Sequence, residues 1–139
     1  MQTTLNYPPS INRYWRKWRN RMVISREGRA FRENVRLLLA TGGAGRKPPR
    51  DGRLALAMDA FPPDRRRRDL DNIQKPVLDA LEHAGVYRDD SQIDLLITRR
   101  CEHEKGGRVV VRRRSAVPIV PFKWSCKQAA ELRALMPSR

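Results

Sequence analysis

The chain has 139 residues, in which 30 lysines and arginines oppose 15 acidic residues and give a formal net charge of +15 at pH 7. This length fits one domain with a modest core, and the charge indicates a polyanionic partner: nucleic acid, ribosomal RNA or an anionic membrane. The membrane is the weakest candidate, because no apolar run approaches the roughly 20 residues that span a bilayer and the N-terminus lacks the apolar core of a signal peptide.

The first third of the chain predicts one strand, a basic segment and one helix. Residues 3–7 are β-forming and end at Pro8-Pro9-Ser10. The stretch 12–20 is densely basic and aromatic. Ser25 is typical of a helix N-cap, and residues 42–52, rich in glycine and proline, predict a loop after the helix. Between them, apolar residues recur at helical spacing: Phe31, Val35, Leu38 and Leu39.

The middle of the chain predicts a strand followed by a helix. Alternating apolar residues from Leu54 to Ala60 indicate the strand, which ends at Pro62-Pro63. A helix is expected within residues 70–84, where five apolar residues share one face: Leu70, Ile73, Val77, Leu81 and Ala84. Pro76 implies either that this helix begins near Lys75 or that it is kinked at the proline.

The last third predicts two more strands and a tail. Ile93, Leu95 and Ile97 alternate, and residues 109–111 form a second β-run. Lys105-Gly106-Gly107 between them predicts a hairpin turn. The order β-α-β-α-β-β indicates an α/β (α+β) fold, with a small mixed sheet of about four strands and two main helices. We expect residues 1–114 to form the domain and residues 115–139 to be an extension, with a short helix at 125–136.

The most informative segment joins four consecutive arginines, residues 65–68, to Asp69 and Asp71. Two neighbouring carboxylates repel each other, and a divalent cation such as Mg²⁺, which prefers hard oxygen ligands, would relieve that repulsion. Asp90 is a third candidate ligand. A helix of about 13 residues covers roughly 20 Å, and six extended residues return about the same distance, so the chain can bring Asp90 back beside the pair.

Simpler interpretations of these residues remain open. Asp69 can be a helix N-cap, Asp71 and Lys75 can form a surface ion pair at a spacing of four, and Asp89-Asp90 can be a polar turn. Together they would leave a non-enzymatic basic nucleic-acid-binding protein. Cys101 and Cys126 form no CxxC pair, which indicates free thiols in a cytoplasmic protein and no zinc site.

Several segments, in this order along residues 5–112, resemble the RusA family of Holliday junction resolvases. The most specific is Asp64-Arg65-Arg66-Arg67-Arg68-Asp69-Leu70-Asp71-Asn72, and the others are Pro8-Pro9-Ser10, Asn12-Arg13-Tyr14, Gln74-Lys75, Leu78-Asp79-Ala80-Leu81, Ala84-Gly85, Asp89-Asp90 and Lys105-Gly106-Gly107-Arg108. The resemblance implies a homodimer that cuts four-way DNA junctions in pairs, with Mg²⁺ or Mn²⁺ required. It also implies a recombination or repair role in the cytoplasm of a bacterium or phage-infected host, at the nucleoid.

The resemblance also implies roles for individual residues. Asp69, Asp71 and Asp90 would hold the metal, and Lys75 would lie near the scissile phosphate. We expect a DNA-binding surface with these basic residues: Arg13, Arg16, Lys17, Arg65, Arg66, Arg67, Arg68 and Lys75. The aromatic residues of the first segment are candidates either for stacking on unpaired bases or, as we favour, for the core or the dimer interface: Tyr14, Trp15 and Trp18.

Overall fold

The computed structural model describes residues 1–41 and 52–115. Most of the predicted loop at 42–52 and the predicted tail helix at 125–136 lie outside these residues. The elements are β1 (Gln2–Asn6), α1 (Ile11–Tyr14), β2 (Trp15–Trp18), β3 (Arg21–Ile24), α2 (Arg26–Thr41), β4 (Leu54–Phe61), α3 (Asp71–His83), a short 3-10 turn (Asp90–Gln92), β5 (Ile93–Arg100) and β6 (Arg108–Ser115). No helix among the described residues is long and apolar enough to cross a membrane.

The main sheet has four strands in the order β1-β6-β4-β5. Strand β4 lies at its centre, parallel to β5 and antiparallel to β6. Alternate residues of β4, from Leu54 to Ala60, are wholly or almost wholly buried in a core shared with α2 and α3. On β5, an edge strand, Leu95 and Ile97 are about half exposed. The predicted mixed sheet, two main helices and β-α-β-α-β-β order are confirmed.

The prediction of a hairpin at Lys105-Gly106-Gly107 was wrong. A tight turn does form there, with Gly106 at φ 87° and the Gly107 amide donating to the carbonyl of Glu104 at 2.8 Å. However, β5 and β6 lie on opposite sides of β4. The connection therefore crosses the end of β4, where the Glu104 amide donates to the carbonyl of Pro62 at 2.8 Å. Helix α3 connects β4 to β5 in a parallel β-α-β crossover. Strand β5 therefore pairs with one edge of β4, and β6 pairs with the other edge.

The basic segment folds into a small hairpin that the sequence did not reveal. Strands β2 and β3 pair with each other only, joined by a turn in which Arg19 has φ 52°. The predicted cap is confirmed, because the Ser25 hydroxyl accepts the Gly28 amide at 3.0 Å and α2 begins at the next residue, Arg26. Gly28 is buried where α2 touches the carbonyl of Tyr14.

Helix α3 runs through Pro76 with five helical residues before it, so the alternative start near Lys75 was wrong. The helix ends where predicted. Gly85 has φ 74°, and the amides of Gly85 and Val86 donate to the carbonyls of Glu82 and Leu81 at 2.9 and 3.0 Å. This pair of bonds is the Schellman arrangement, which favours glycine at the left-handed position. It turns the chain sharply toward the segment that carries Asp90.

Candidate active site

One face of α3 carries four charged residues. Asp71, Lys75, Asp79 and Glu82 are spaced by four, four and three positions, and residues at these spacings lie above one another on a helix. The opposite face is apolar and belongs to the core, where Ile73, Val77 and Leu81 are each 2 % exposed or less. Burial of that face therefore turns the charged face outward.

Asp90 meets this charged face at Lys75. The Lys75 Nζ donates to Asp79 Oδ1 at 2.7 Å and to Asp90 Oδ2 at 3.1 Å. The hydrogen bond that Lys75 donates to Asp79, and then the one that it donates to Asp90, raise the pKa of Lys75 well above its ordinary value, against the opposing effect of burial. Lys75 is therefore a permanent cation at neutral pH, and it bridges a helix residue to a residue of the returning chain.

The segment after α3 is built to present Asp90. The Asp89 carboxylate accepts the Ser91 amide at 2.8 Å and so caps the 3-10 turn, which confirms that Asp89-Asp90 forms a polar turn. Gln92 fixes the same turn from beneath, since its side chain accepts the Arg88 amide at 2.7 Å and donates to the carbonyl of Gly52 at 3.1 Å. The Oδ1 atom of Asp90 is buried and has no hydrogen-bond partner among the described residues.

We name Lys75, Asp79, Glu82 and Asp90 the lysine cluster. One carboxylate oxygen each from Asp79, Glu82 and Asp90 lies within 4.8 Å of the other two. Within residues 1–41 and 52–115, these are the three carboxylates that lie close enough together to share a metal ion without any movement. Burial, followed by the charges of Asp90 and Asp89, raises the pKa of Glu82. Asp79 and Glu82 are not among the site residues predicted from the sequence, although their spacing on the same helix face as Lys75 was a signal that could have found them.

Asp69 and Asp71, which we name the leading pair, stand at the start of α3 and are exposed. Both accept hydrogen bonds from Asn72: its amide donates to Asp71 Oδ1 at 2.9 Å, and its side chain donates to Asp69 Oδ2 at 3.4 Å. Asp69 is not the helix cap, a position that Leu70 takes without a side-chain bond. Lys75 pairs with Asp79 and Asp90, so the simple Asp71–Lys75 ion pair is not formed.

The structure thus brings Lys75 and Asp90 together and leaves the leading pair outside the three-carboxylate group of the described residues. Asp71 lies one helical turn before Lys75, a rise of about 6 Å along the axis. The shared metal site of Asp69, Asp71 and Asp90 stays a prediction. Asp90 belongs both to this predicted site and to the lysine cluster.

The four arginines next to the leading pair have two different environments. Arg68 is two-thirds or more buried and forms a bidentate pair with Asp64, and its guanidinium lies 6.0 Å from the centre of the Tyr7 ring. The hydrogen bond from Arg68 lowers the pKa of Asp64 strongly. Arg65, Arg66 and Arg67 are exposed. Arg68 therefore stabilises the loop. Its three neighbours remain accessible to a ligand, although the Arg66 guanidinium also lies 3.9 Å from the Asp64 carboxylate.

The predicted aromatic residues also differ in environment. Tyr14 is wholly buried and Trp15 packs against the core, which is the role that we favour for them. Trp18 is 56 % exposed, with the Arg16 guanidinium 5.4 Å from its ring centre. Arg13, Arg16 and Lys17 are exposed as well. A buried Tyr14 ring cannot stack on a base in this conformation, so Trp18 is the aromatic residue that the hairpin presents.

A cavity of about 830 Å³ lies between the Pro8-Pro9-Ser10 segment, α2 and the segment of the four arginines, residues 65–68, which we name the arginine loop. We name it the asparagine groove, and its polar lining includes Asn12, Glu27, Asn34, Arg66, Arg67, Asp69 and Asn72. A second cleft, of about 580 Å³, opens beside the lysine cluster and is lined by Arg32 and Arg88 as well as Lys75, Asp79 and Glu82. The two cavities lie toward opposite ends of α3. Asp69 lines the asparagine groove, and Lys75 lines the second cleft.

Comparison with known proteins identifies the family. The model of the family described as endodeoxyribonuclease RusA matches residues 6–113. The chain belongs to the RusA family. Its relatives include the crossover junction endodeoxyribonuclease RusA of Shigella sonnei, 42 % identical over 108 residues that cover 76 % of this chain and 87 % of that protein.

RusA proteins of a second bacterium and of a phage are similarly close. The crossover junction endodeoxyribonuclease RusA of Escherichia coli is 41 % identical over 108 residues, covering 76 % of this chain and 87 % of that protein. That of Enterobacteria phage HK97 is 39 % identical over 115 residues, covering 80 % and 91 %. The predicted resemblance to this family is confirmed. The family match ends at residue 113, close to the end of β6 at Ser115.

Proposed function

We propose that this RusA-family protein is a crossover junction endodeoxyribonuclease, which resolves Holliday junctions by paired, symmetric strand cuts in DNA recombination and repair. The observation that carries the proposal is the contact of Lys75 with Asp90 at 3.1 Å. It joins a cation on the helix that follows the arginine loop to a carboxylate in the turn after that helix. We place this activity in residues 1–114, and phage relatives support a prophage setting.

The acidic residues fit a hard divalent cation, because every candidate ligand is a carboxylate oxygen and Asp90 Oδ1 is buried without a partner among the described residues. We propose that Asp69, Asp71 and Asp90 hold Mg²⁺, which Mn²⁺ can replace. When bound, such an ion lowers the pKa of a coordinated water and offsets charge on the phosphate oxygens.

Lys75 supplies a second positive charge at the reacting centre. Its raised pKa keeps the ammonium protonated throughout the neutral range, so it can stabilise the negative charge that grows on the phosphate oxygens during hydrolysis. Asp79 holds the ammonium on the charged face of α3. The side chain of Lys75 is 46 % exposed, which leaves it accessible to a DNA strand.

The basic surface accounts for DNA binding. Arg65, Arg66 and Arg67 are exposed beside Asp69, and the hairpin adds Arg13, Arg16 and Lys17. Neutralising phosphates releases counterions, so junction affinity should fall steeply as salt rises. We propose that a homodimer places one active site on each side of a two-fold axis, which matches the symmetry of a four-way junction.

The test is cleavage of a synthetic four-way junction by pure protein with Mg²⁺, with EDTA and a linear duplex of the same sequence as controls. We expect paired cuts in strands of like polarity, in the junction and only with metal. Binding without any cleavage would instead support the non-enzymatic basic nucleic-acid-binding protein. Light scattering after gel filtration should give twice the mass of one chain, and a monomer at micromolar concentration would contradict the paired-cut arrangement.

A further inference from the structure

The asparagine groove is large enough to hold a nucleobase with its sugar and phosphate, and it has a mixed polar and apolar lining. Its volume of about 830 Å³ lies within the roughly 300–1,000 Å³ of clefts that hold small organic ligands. Apolar atoms of Pro8, Pro9, Phe31 and Pro63 line part of the groove. Such a surface suits the flat face of a base, whereas a phosphate alone would gain nothing from it.

Two carboxamides with no hydrogen-bond partner among the described residues line the same cavity. Asn12 on α1 and Asn34 on α2 line the groove, and neither side chain has a hydrogen bond to another described residue. A carboxamide can both donate and accept, which is the pattern that base edges require. Two free carboxamides on different helices therefore present an edge-reading surface.

The charges in the groove separate a base from its phosphate. Arg66 and Arg67 line the side formed by the arginine loop, and Glu27 lines the side formed by α2. Arginines attract the DNA backbone, while a carboxylate repels a phosphate but accepts a hydrogen bond from an exocyclic amino group. This arrangement favours a nucleotide whose phosphates lie at the arginines and whose base points toward α2.

We propose that the asparagine groove binds one unpaired nucleobase of the strand that is cut, at the branch point of the junction, and that Asn12, Asn34 and Glu27 select it. The proposal rests on the proposed function and adds to it a preference for particular bases at the cut. Asp69 and Asn72 line the same groove, so the base that is read lies close to the leading pair. Bases at a branch point are the easiest to unpair, and selection there costs the least unstacking.

The first experiment measures sequence preference. Junctions with a movable branch point, carrying each of the four bases at the nucleotide beside the cut, are incubated with the wild type, Asn34→Ala and Asn12→Ala. We expect the ratio of the fastest to the slowest base to fall by about tenfold in each variant, as for loss of a base-edge contact. Thymine, which has no exocyclic amino group, should be the slowest base for the wild type, and Glu27→Gln should reduce that disadvantage.

The matched control is Asn20→Ala, an exposed asparagine in the β2–β3 turn that does not line the groove. It should keep the wild-type preference. Thermal unfolding of every variant shows whether it is folded. Folded Asn12 and Asn34 variants that cut all four bases in the wild-type ratio would overturn the proposal.

The second experiment does not depend on cleavage. A junction with 2-aminopurine at the same nucleotide is titrated with protein in EDTA. Fluorescence should rise when the wild type unstacks the base, and the rise should shrink severalfold in Asn34→Ala at saturating protein. Wild-type protein that cuts junctions without unstacking this base would sink the groove proposal alone, whereas unstacking without any cutting in Mg²⁺ would sink the nuclease proposal alone.

Discussion

The leading pair and the lysine cluster both present carboxylates beside α3, but these carboxylates have opposite electrostatic environments. Asp69 and Asp71 are exposed and receive hydrogen bonds only from Asn72 within the described part of the chain. The carboxylates of the lysine cluster already surround a cation, with Lys75 at 2.7 Å from Asp79 and 3.1 Å from Asp90. We therefore expect the leading pair to bind an external cation and Asp79 to position Lys75.

The sharpest test of this contrast is Asp71→Asn. Cutting should fall by roughly 10²–10³-fold or more, as for loss of a group that stabilises transition-state charge. Junction binding should persist, because the change also removes a negative charge that faces DNA. In EDTA the melting temperature should stay the same or rise, since repulsion is relieved. Glu102→Gln, at an exposed position outside both groups, is the control, and lost binding or a large fall in melting temperature would assign Asp71 a structural role.

Lys75→Met should affect both chemistry and stability. Cutting should fall about 10²-fold, because a charge at the reacting centre is lost. In EDTA the melting temperature should drop by about 3–5 °C, near 1 kcal/mol for a chain of this length, since Lys75 is partly exposed and its ion pairs are screened. Mg²⁺ should then restore more stability to this variant than to the wild type. An equal Mg²⁺ response in both, with Lys105→Met as the control, would mean that no ion replaces the ammonium.

Asp79→Asn should have a smaller effect on cutting than either change above. Asp79 contacts Lys75 and orients it, and loss of such an outer contact typically costs about 10–100-fold. The rate should therefore fall by about tenfold, and Asp79→Glu should recover part of it. A loss as large as that of Asp71→Asn would erase the distinction between the two groups and make Asp79 a ligand in its own right.

The smallest expected effect is a pH-dependent one at Glu82. Burial, and then Asp90 and Asp89, raise the pKa of Glu82, so its stability contribution is full below the ordinary pKa and is lost as pH rises through the folded value. In EDTA, Glu82→Gln should melt like the wild type at pH 4 and somewhat higher at pH 8. Glu102→Gln, at an exposed position, should show no such trend. A difference in melting temperature between Glu82→Gln and the wild type that does not change with pH would contradict the raised pKa of Glu82.

Local patterns in the sequence predicted most of the elements, since α2, α3 and β4 each bury one face and their apolar residues repeat at the matching period. The hairpin of β2 and β3 escaped because most of its residues are exposed, including Arg16, Lys17 and Trp18, and an exposed strand carries no burial alternation. The order of strands in the sheet could not be predicted for another reason. The turn at Gly106 and Gly107 is local, whereas the position of β4 between β5 and β6 depends on contacts between residues far apart in sequence.

The candidate site was predicted in part. Chain reach alone allowed Asp90 to return toward α3, and it meets Lys75 there. The ion pairs within the site could not be predicted, because they depend on side-chain rotamers that the fold selects. Lys75 turns toward Asp79 and Asp90, and Arg68 folds back on Asp64, although the sequence offered each of them other partners.

The contact at Gly28 has a mechanical consequence for the basic hairpin. A side-chain carbon there would lie 2.7 Å from Ile24 Cγ2 and 2.8 Å from the carbonyl oxygen of Tyr14. A residue larger than glycine at position 28 would therefore push the start of α2 away from the end of β3 and from Tyr14, and the basic hairpin would lose its close packing on α2.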